Sequence, residues 1–369
     1  MKKTILALLL SAVLAFSTAL ADGRVFSDLG DACDYVRASM LAGHLQPEFV
    51  LTVQAVNGRD NSRIRDILTD ALEYASGYDI YFSKSGDGLR VRVDANMRPA
   101  LKMLHAWETG DRSALAADEV LALDTALAWA ESCRRSSGLE TEAAIFDLLC
   151  ERLVYAHDAV AMGSDTPEYV RASTSVGAFV DGVAQCQGYA EAFWLLGKLC
   201  GLDVETQYGF PGDNVKAKHA WNVVRIGTRW YHVDVCWSDT SGDSFEPHVP
   251  DYRYFNGGLD RMPEGRYCHP EAEVAAVTPV TLPEHTAYQG LRGVTVASLA
   301  EAIDYALAQH EAGEPYAHVL ITDDSVMREA MEKAMWAAVR QKNISTVWGR
   351  LVNPYAGGTW MTVRWVLGE

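Results

Sequence analysis

The stretch Gly182-Val-Ala-Gln-Cys-Gln-Gly-Tyr189 runs directly into an apolar segment that ends at Gly201. Apolar side chains recur in this segment at the spacing of one helix face, at Ala190, Phe193, Leu196 and Leu199. Glycine commonly follows the last residue of a helix, so the pattern predicts a buried helix that begins at or just before Cys186. The free N–H groups and the dipole of a helix start favour a thiolate, the reactive form of cysteine. The same N–H groups can stabilise negative charge on a carbonyl oxygen.

Two β-rich runs follow, His219 to Ile226 and Arg229 to Val235, and Gly227-Thr228 separates them. A two-residue connection with glycine first is typical of a tight β-hairpin turn. Such a turn would pair Ile226 with Arg229 and so fix the register of both strands.

In that register Trp221 pairs with Asp234, and His219 pairs with Cys236. Because side chains alternate along a strand, we expect all four on one face, with Asp234 as the diagonal neighbour of His219. That places a carboxylate within hydrogen-bonding reach of an imidazole. A nucleophile, a base and a third group that orients the base are the parts of a catalytic triad.

Three blocks occur in order along the chain: Gly182-Val-Ala-Gln-Cys-Gln-Gly-Tyr-Ala190, His219-Ala-Trp-Asn-Val-Val224 and Trp230-Tyr-His-Val-Asp-Val-Cys-Trp-Ser-Asp239. With these blocks, the region from Glu140 to Asp239 resembles the transglutaminase-like superfamily. The resemblance implies a papain-like core, in which the cysteine-bearing helix packs on an antiparallel sheet. It also implies that Cys186 is the nucleophile, His219 the base and Asp234 the acid that orients the base. Many relatives have Pro-Thr-Trp after the aspartate, whereas this chain has Val-Cys-Trp.

Four further residues are expected near these three. Gln185 either helps to hold an oxyanion, as the residue before the nucleophile does in some papain-like enzymes, or only lines the turn. Trp221 and Trp237 are expected to be core or site-wall aromatics. His232 falls on the same strand face as Asp234, where a histidine is more often structural than catalytic.

Neither a metal nor a cofactor is predicted. The acidic residues between Asp239 and Asp251 do not have the spacing of an EF-hand loop, and no glycine-rich phosphate loop lies between a strand and a helix. The seven cysteines include no Cys-x-x-Cys pair, which argues against a zinc ribbon or a thioredoxin-type motif. An odd number leaves at least one thiol unpaired, and the other six either pair or are buried as small apolar residues.

The first 21 residues have the pattern of a secretory signal peptide. Lys2 and Lys3 precede an apolar run from Ile5 to Phe16, and Ala19-Leu-Ala21 matches a cleavage site. An uncleaved membrane anchor is the alternative, but the run is short for a span. We therefore expect a secreted, periplasmic or cell-surface protein without stable membrane insertion after cleavage. The net charge of −17, with dispersed Lys and Arg, argues against a nucleic-acid partner.

The whole pattern predicts an α+β protein in which two small α/β modules flank the catalytic centre. Residues 22–97 and 285–369 both show the order β-α-β-α-β-β, which either an internal repeat or chance could produce. Residues 98–138 predict a helical connector, and residues 139–275 the transglutaminase-like catalytic domain.

The expected chemistry is acyl transfer through a thioester that Cys186 forms on a carboxamide or a peptide carbonyl. Hydrolysis, as a peptidase or amidase, is the first choice, because water is plentiful outside the cell and no residue marks an amine-acceptor site. A cross-linking transglutaminase is one alternative, and a non-catalytic binding or adhesion protein that retains the fold is another. The expected partner is a protein or peptide substrate, with cell-wall peptides among the candidates.

Overall fold

The computed structural model describes residues 24–211, 218–239, 250, 254–256, 267–268, 294–314, 316–323, 328–342, 347–355 and 358–365. The predicted signal peptide lies outside these residues. The described chain forms two units, and the first division between them falls between Leu115 and Ala116. No helix in the described part is long and apolar enough to cross a bilayer. The domain boundaries given above stay predictions.

The first unit is an α/β module around one four-stranded sheet. Its elements are β1 (Arg24–Phe26), α1 (Leu29–Leu41), β2 (Glu48–Leu51), α2 (Val53–Val56), α3 (Asn61–Asp70), β3 (Ala75–Ser85), β4 (Gly88–Met97) and α4 (Pro99–Thr109). The strand order is β1-β2-β4-β3, with only β1 and β2 parallel. Phe49 and Leu51 of β2 are fully buried, as the alternation along the strand predicts. Tyr35 of α1 meets the Phe49 ring edge-on, so α1 covers this face.

The second unit begins with the elements that carry the predicted site. They are α5 (Ala117–Cys133), α6 (Gly138–Arg152), β5 (Val154–Tyr155), α7 (His157–Met162), α8 (Pro167–Ala172), a π-helical turn (Gly177–Asp181), β6 (Val183–Ala184), α9 (Cys186–Cys200), β7 (Asp203–Pro211), β8 (His219–Ile226), β9 (Arg229–Val233), α10 (Val235–Ser238) and β10 (Tyr267–Cys268). Strands β10-β7-β8-β9 form an antiparallel sheet in that order. Strands β5 and β6 form a separate parallel pair.

Helix α9 is the central helix of this unit. It begins at Cys186, and its end is followed by Gly201 at φ +84°. The four consecutive residues Phe193 to Leu196 are at most 1% exposed. Four successive positions point in all directions around a helix, so α9 is buried on every side and not on one face alone. It lies between helices α5 and α6 and strands β7 and β8.

Close contacts fix α9 against its neighbours. A Cβ on Gly188 would lie 2.4 Å from the carbonyl oxygen of Ala172, so only glycine fits beside α8. Further along α9, the buried Asn222 of β8 donates from Nδ2 to the Ala190 carbonyl at 3.1 Å. The sequence predicted α9 and β8 separately, and these contacts bring the start of the helix to the strand that carries His219.

The hairpin β8–β9 has the predicted register over its paired residues. Ile226 pairs with Arg229 and Asn222 with Val233 across the Gly-Thr turn. The prediction that Cys236 lies on the strand opposite His219 is wrong, because β9 ends at Val233. The side chain of Asp234 instead accepts the N–H of Trp237 at 3.0 Å and starts the short helix α10.

The last module follows in the second unit. Its elements are β11 (Val294–Val296), α11 (Leu299–Glu311), β12 (Tyr316–Ile321), α12 (Arg328–Gln341), β13 (Val347–Tyr355) and β14 (Gly358–Trp365). The strand order is β11-β12-β14-β13, again with only the first two strands parallel. This is the same order and direction as in the sheet β1-β2-β4-β3. The protein is thus a mixed α+β protein, as its sequence predicts.

Candidate active site

His219 and Asp234 form the centre of the candidate site. Nε2 of His219 lies 2.6 Å from Oδ2 of Asp234. The two residues are 5% and 0% exposed. A buried carboxylate needs partners, and the backbone N–H of Trp237 supplies a second one at Oδ1. The diagonal neighbours that the hairpin register predicts are therefore hydrogen-bonded to each other.

The neighbours of His219 also set its charge. Asp234 engages Nε2, and the side chain of Cys186 lies close enough to the ring to affect its pKa. Burial by itself would lower the pKa of His219, but the charge of Asp234 and the hydrogen bonds to Asp234 and Cys186 outweigh it and raise the pKa to about 10. At neutral pH the ring is therefore an imidazolium that can donate a proton.

Two tryptophans lie nearly parallel to the His219 ring. Trp237 of α10 stacks on it with 4.7 Å between ring centroids and 25° between planes. Trp221, two residues along β8, lies 6.0 Å away at 16°. Trp221 is 3% exposed, whereas Trp237 is partly exposed. Both therefore form walls around the imidazole, and Trp237 lies on the side that solvent reaches.

Cys186 is the first residue of α9 and is partly exposed. Its Sγ donates to Oε1 of Gln185 at 2.8 Å. Among the described residues, the backbone N–H of Cys186 has no partner, whereas the N–H of Gln187 donates to Oε1 of Gln185 at 3.2 Å. The helix start thus offers the Cys186 N–H as a donor beside the thiol.

Gln185 has the orientation of a helix cap. Its Nε2 donates to the hydroxyl of Ser173 at 2.7 Å, and its Oε1 caps α9. The N–H of Gln187 can only donate, so the atom that faces it must be the amide oxygen. Gln185 therefore presents an acceptor, not a donor, to the sulfur. In this orientation its amide lines the turn, and an oxyanion role stays a prediction.

Two contacts join the segment after Asp234 to the rest of the site. The hydroxyl of Tyr189, one turn into α9, donates to Oδ2 of Asp239, just beyond α10. Cys236 of α10 is buried, and burial raises the pKa of its thiol well above the ordinary value. Cys236 therefore stays a neutral packing residue beside the site.

Two tyrosines near the thiol lie outside the sequence blocks. Burial raises the pKa of Tyr155, and the nearby Cys236 and Cys186 raise it further. Burial and Cys186 have the same effect on the pKa of Tyr169. Tyr155 reaches this place because β5 pairs with β6, which sets it opposite Ala184. Two-residue strands have no periodicity to detect, so the sequence offered no signal for this contact.

His232 is fully buried on the strand that follows His219. Its Nδ1 accepts the indole N–H of Trp221 at 2.8 Å. Burial lowers the pKa of His232 to about 4, although the charge of Asp234 opposes this. The ring is therefore neutral at physiological pH.

Together these groups supply a thiol, an imidazolium oriented by a carboxylate and a backbone donor, which are the parts needed for acyl transfer. In the part of the chain that the structure describes, no group of His, Cys, Asp and Glu side chains is placed to hold a metal ion.

Residues 128–235 match the family model of the transglutaminase-like superfamily. They include the predicted nucleophile, base and acid, and this stretch of the chain is therefore a transglutaminase-like domain. No curated protein matches the chain.

Two solved structures are similar to the chain at low identity. One is the crystal structure of a TGase, with 14% identity, 61% of this chain and 60% of that chain covered, and a TM-score of 0.31. The other is a protein named "Putative Cysteine Protease" from Cytophaga hutchinsonii, with 12% identity, 47% and 65% covered, and a TM-score of 0.25. The chain thus spans somewhat less than two thirds of the length of either structure.

Proposed function

We propose that the transglutaminase-like domain is a cysteine-dependent acyl-transfer enzyme. In this proposal Cys186 is the nucleophile, His219 the acid and base, and Asp234 the group that orients the histidine. The observation that carries it is the buried hydrogen bond of 2.6 Å between His219 and Asp234, with Cys186 close enough to raise the pKa of His219. A partly exposed thiol at a helix start completes the arrangement that nucleophilic catalysis requires.

The reaction begins from the form in which the proton of Cys186 already resides on His219, and the Cys186 sulfur attacks the carbonyl carbon of an amide. The backbone N–H of Cys186 stabilises the negative oxygen that forms. When the carbon–nitrogen bond breaks, His219 gives its proton to the departing amine, and a thioester remains on Cys186. Water then attacks the thioester, His219 accepts and keeps a proton from this water, and the sulfur leaves as a thiolate, which restores the starting form.

Hydrolysis of an amide or peptide bond is the proposed outcome, with a protein or peptide as substrate. The surroundings of the thiol support it. The charge of Cys186 contributes to the raised pKa values of Tyr155 and Tyr169, so two polar aromatic side chains lie in the surroundings of the thiol. Cross-linking by an attacking amine, and binding without catalysis, are the outcomes that the tests below distinguish from hydrolysis.

Thiol alkylation tests whether the site works. The rate at which iodoacetamide modifies Cys186 at pH 7 is measured by peptide mass spectrometry, with Cys200 at the other end of α9 as the internal reference. Burial raises the pKa of Cys200 to about 11, so its alkylation should be slow. We expect Cys186 to react much faster than Cys200 in the wild type and to lose this advantage in His219→Ala. Equal rates for both thiols in the wild type would contradict the proposal.

A search for the acyl-enzyme tests the chemistry. Protein substrates and cell-wall peptides are each incubated with the wild type and with Cys186→Ser, and the mass of the active-site peptide is measured. A thioester adduct confined to Cys186, together with new peptide termini, would support hydrolysis. Ammonia release with incorporation of an added amine would show cross-linking instead. Rapid alkylation without any adduct would favour the binding protein.

We also propose that the protein is exported and that a peptidase cleaves it after Ala21. Support comes from the lysines, the apolar run and the Ala-Leu-Ala sequence of the N-terminal segment. N-terminal sequencing of the mature protein should begin at Asp22. An intact N-terminus in a membrane fraction would indicate the uncleaved anchor.

We further infer that the two flanking modules are an internal repeat. The identical order and direction of strands in the sheets β1-β2-β4-β3 and β11-β12-β14-β13 support this. An experimental structure in which the two modules superimpose poorly over these eight strands would argue for chance.

A further inference from the structure

A second diagonal pair lies beside the His219–Asp234 pair on the hairpin β8–β9. His232 is directly opposite Val223, so Trp221 is its diagonal neighbour. The indole Nε1 of Trp221 donates to Nδ1 of His232 at 2.8 Å. Both residues are buried, and Trp221 lies nearly parallel to the His219 ring. The two diagonal pairs therefore join through Trp221 and His219.

The hydrogen bond fixes the tautomer of His232. An indole N–H can only donate, so Nδ1 is the acceptor and the proton of this neutral ring lies on Nε2. Among the described residues, Nε2 has no hydrogen-bond partner. Burying an N–H without a partner destabilises a fold. An apolar side chain would therefore suit packing better at this position, and what His232 offers instead is the acceptor for Trp221.

We propose that His232 is a positioning residue for His219 and acts through Trp221. By fixing the indole, His232 fixes one of the aromatic rings beside His219, 6.0 Å away between centroids and 16° from parallel. A fixed indole limits the rotation of the neighbouring His219 ring and so keeps Nε2 toward Asp234. The inference rests on the proposed function, because it assigns His232 a role in the reactivity of that same site.

The neutral state of His232 supports this role. Burial lowers its pKa to about 4, so Nδ1 remains an acceptor over the whole range in which a cysteine enzyme works. Protonation would place a second donor in front of the Trp221 N–H and break the bond.

Two substitutions of His232 test the proposal through the alkylation rate of Cys186, with the melting temperature measured alongside. In His232→Asn the side-chain oxygen stands where Nδ1 stood and can still accept from Trp221. In His232→Leu no acceptor remains at this position. We expect His232→Leu to lower the rate roughly tenfold, because small displacements of a catalytic group are costly, and His232→Asn to retain most of the rate.

The Trp221→Phe background supplies the control. Phenylalanine has no N–H, so His232→Leu should cause no further loss when Trp221 is already Phe. An unchanged rate in His232→Leu would overturn the proposal. The proposal would also be overturned if folded His232→Asn lowered the alkylation rate of Cys186 as much as His232→Leu does. The same holds if His232→Leu lowered this rate equally in the Trp221→Phe background and in the wild type.

A measurement on the wild type covers the case in which His232→Leu does not fold. The indole N–H resonance of Trp221, assigned by its loss in Trp221→Phe, should exchange slowly with solvent deuterium. Rapid exchange would overturn the proposal. Failure of the proposed function is recognised separately. It shows as slow alkylation of Cys186 in the wild type, or as an alkylation rate that His219→Ala does not change. In that case the positioning role is overturned as well.

Discussion

At the scale of single residues, the charge of Asp234 sets the charge of His219. Burial alone favours a neutral imidazole, and the neighbouring carboxylate reverses this preference. In the proposed reaction the imidazolium protonates the departing amine, so Asp234 would contribute electrostatics as well as orientation. The same residue caps α10, and a substitution must therefore separate these two roles.

Asp234→Asn makes that separation. Asparagine keeps an oxygen for the Trp237 N–H and loses the charge, so the pKa of His219 should fall. We expect the alkylation rate of Cys186 to drop by a hundredfold or more, roughly, since the orienting carboxylate is essential in such triads. The limb of the pH profile that requires protonated His219 should move to lower pH. The profile is measured between pH 5 and 11.

Asp203→Asn is the matched control for this change. Asp203 is a half-exposed aspartate on β7 of the same sheet, where it pairs with Arg225. Its substitution should leave the rate and the profile unchanged. A wild-type profile in Asp234→Asn would show that the carboxylate does not control His219.

Glu142 of α6 is a buried acid outside the site. Burial raises its pKa from 4.5 to about 8, although the bond from Nδ2 of Asn256 at 3.0 Å opposes this. Between these two pH values the unfolded chain has released the proton and the folded chain has kept it. The unfolded state therefore binds fewer protons, and the stability of the wild type should fall as pH rises through this window.

Glu142→Gln should remove this pH dependence, because glutamine is neutral at every pH and has nearly the same shape. At pH 8 we expect it to be more stable than the wild type, by up to about 4 kcal/mol. At pH 5 the two should be similar. Urea unfolding at both pH values measures this, with the exposed Glu151→Gln on the same helix as control. A difference that does not change between pH 5 and 8 would contradict it.

At the scale of elements, α9 carries the thiol at its start and packs on the sheet. Two glycines allow this helix to lie close to α8 and to β7. A Cβ on Gly188 would meet the Ala172 carbonyl at 2.4 Å, near the thiol. A Cβ on Gly197, about two and a half turns further along, would meet Cγ2 of Val204 at 2.5 Å. The first obstacle is backbone, and the second is a side chain that can be shortened.

Gly188→Ala and Gly197→Ala should therefore differ in effect. Each should destabilise the protein by about 1–3 kcal/mol through overpacking. Only Gly188→Ala should slow the alkylation of Cys186, because it displaces the start of α9. Adding Val204→Ala should restore the stability of Gly197→Ala. Equal rates for both glycine variants would show that the helix start tolerates displacement.

The contrast between local and distant signals explains which elements the sequence could predict. Helix α9 and the hairpin β8–β9 have strong periodicity and a short turn, so their bounds and register follow from neighbouring residues. The end of β9 could not be predicted from neighbouring residues, because an aspartate at position 234 is compatible both with a strand and with a helix cap. The side-chain bond to Trp237 decided in favour of the cap.

The approach of Cys186 to His219 was outside the reach of local patterns. It depends on contacts such as Asn222 with Ala190, which join residues 32 positions apart. Tyr155 is a similar case, since the pairing of β5 with β6 brings it near the site. Such contacts are decided by the packing of whole elements, and only the family resemblance anticipated the first of them.

At the scale of the whole molecule, each unit has a core of its own. In the first unit, Phe49 is fully buried and its ring meets those of Phe26 and Tyr35. In the second unit, α9 supplies the buried residues Phe193 and Trp194. Separate cores predict that damage to one unit leaves the chemistry of the other in place.

Phe49→Ala tests this independence. Loss of a buried phenylalanine ring costs about 3–5 kcal/mol, so the unfolding transition of the first unit should move to lower temperature in calorimetry. The alkylation rate of Cys186 at 25 °C should stay at the wild-type value. Tyr81→Ala, on β3 of the same sheet and 47% exposed, should move neither quantity. If Phe49→Ala slows the alkylation of Cys186, the first unit contributes to the state of the transglutaminase-like domain, and deletion of that unit should then slow the alkylation as well.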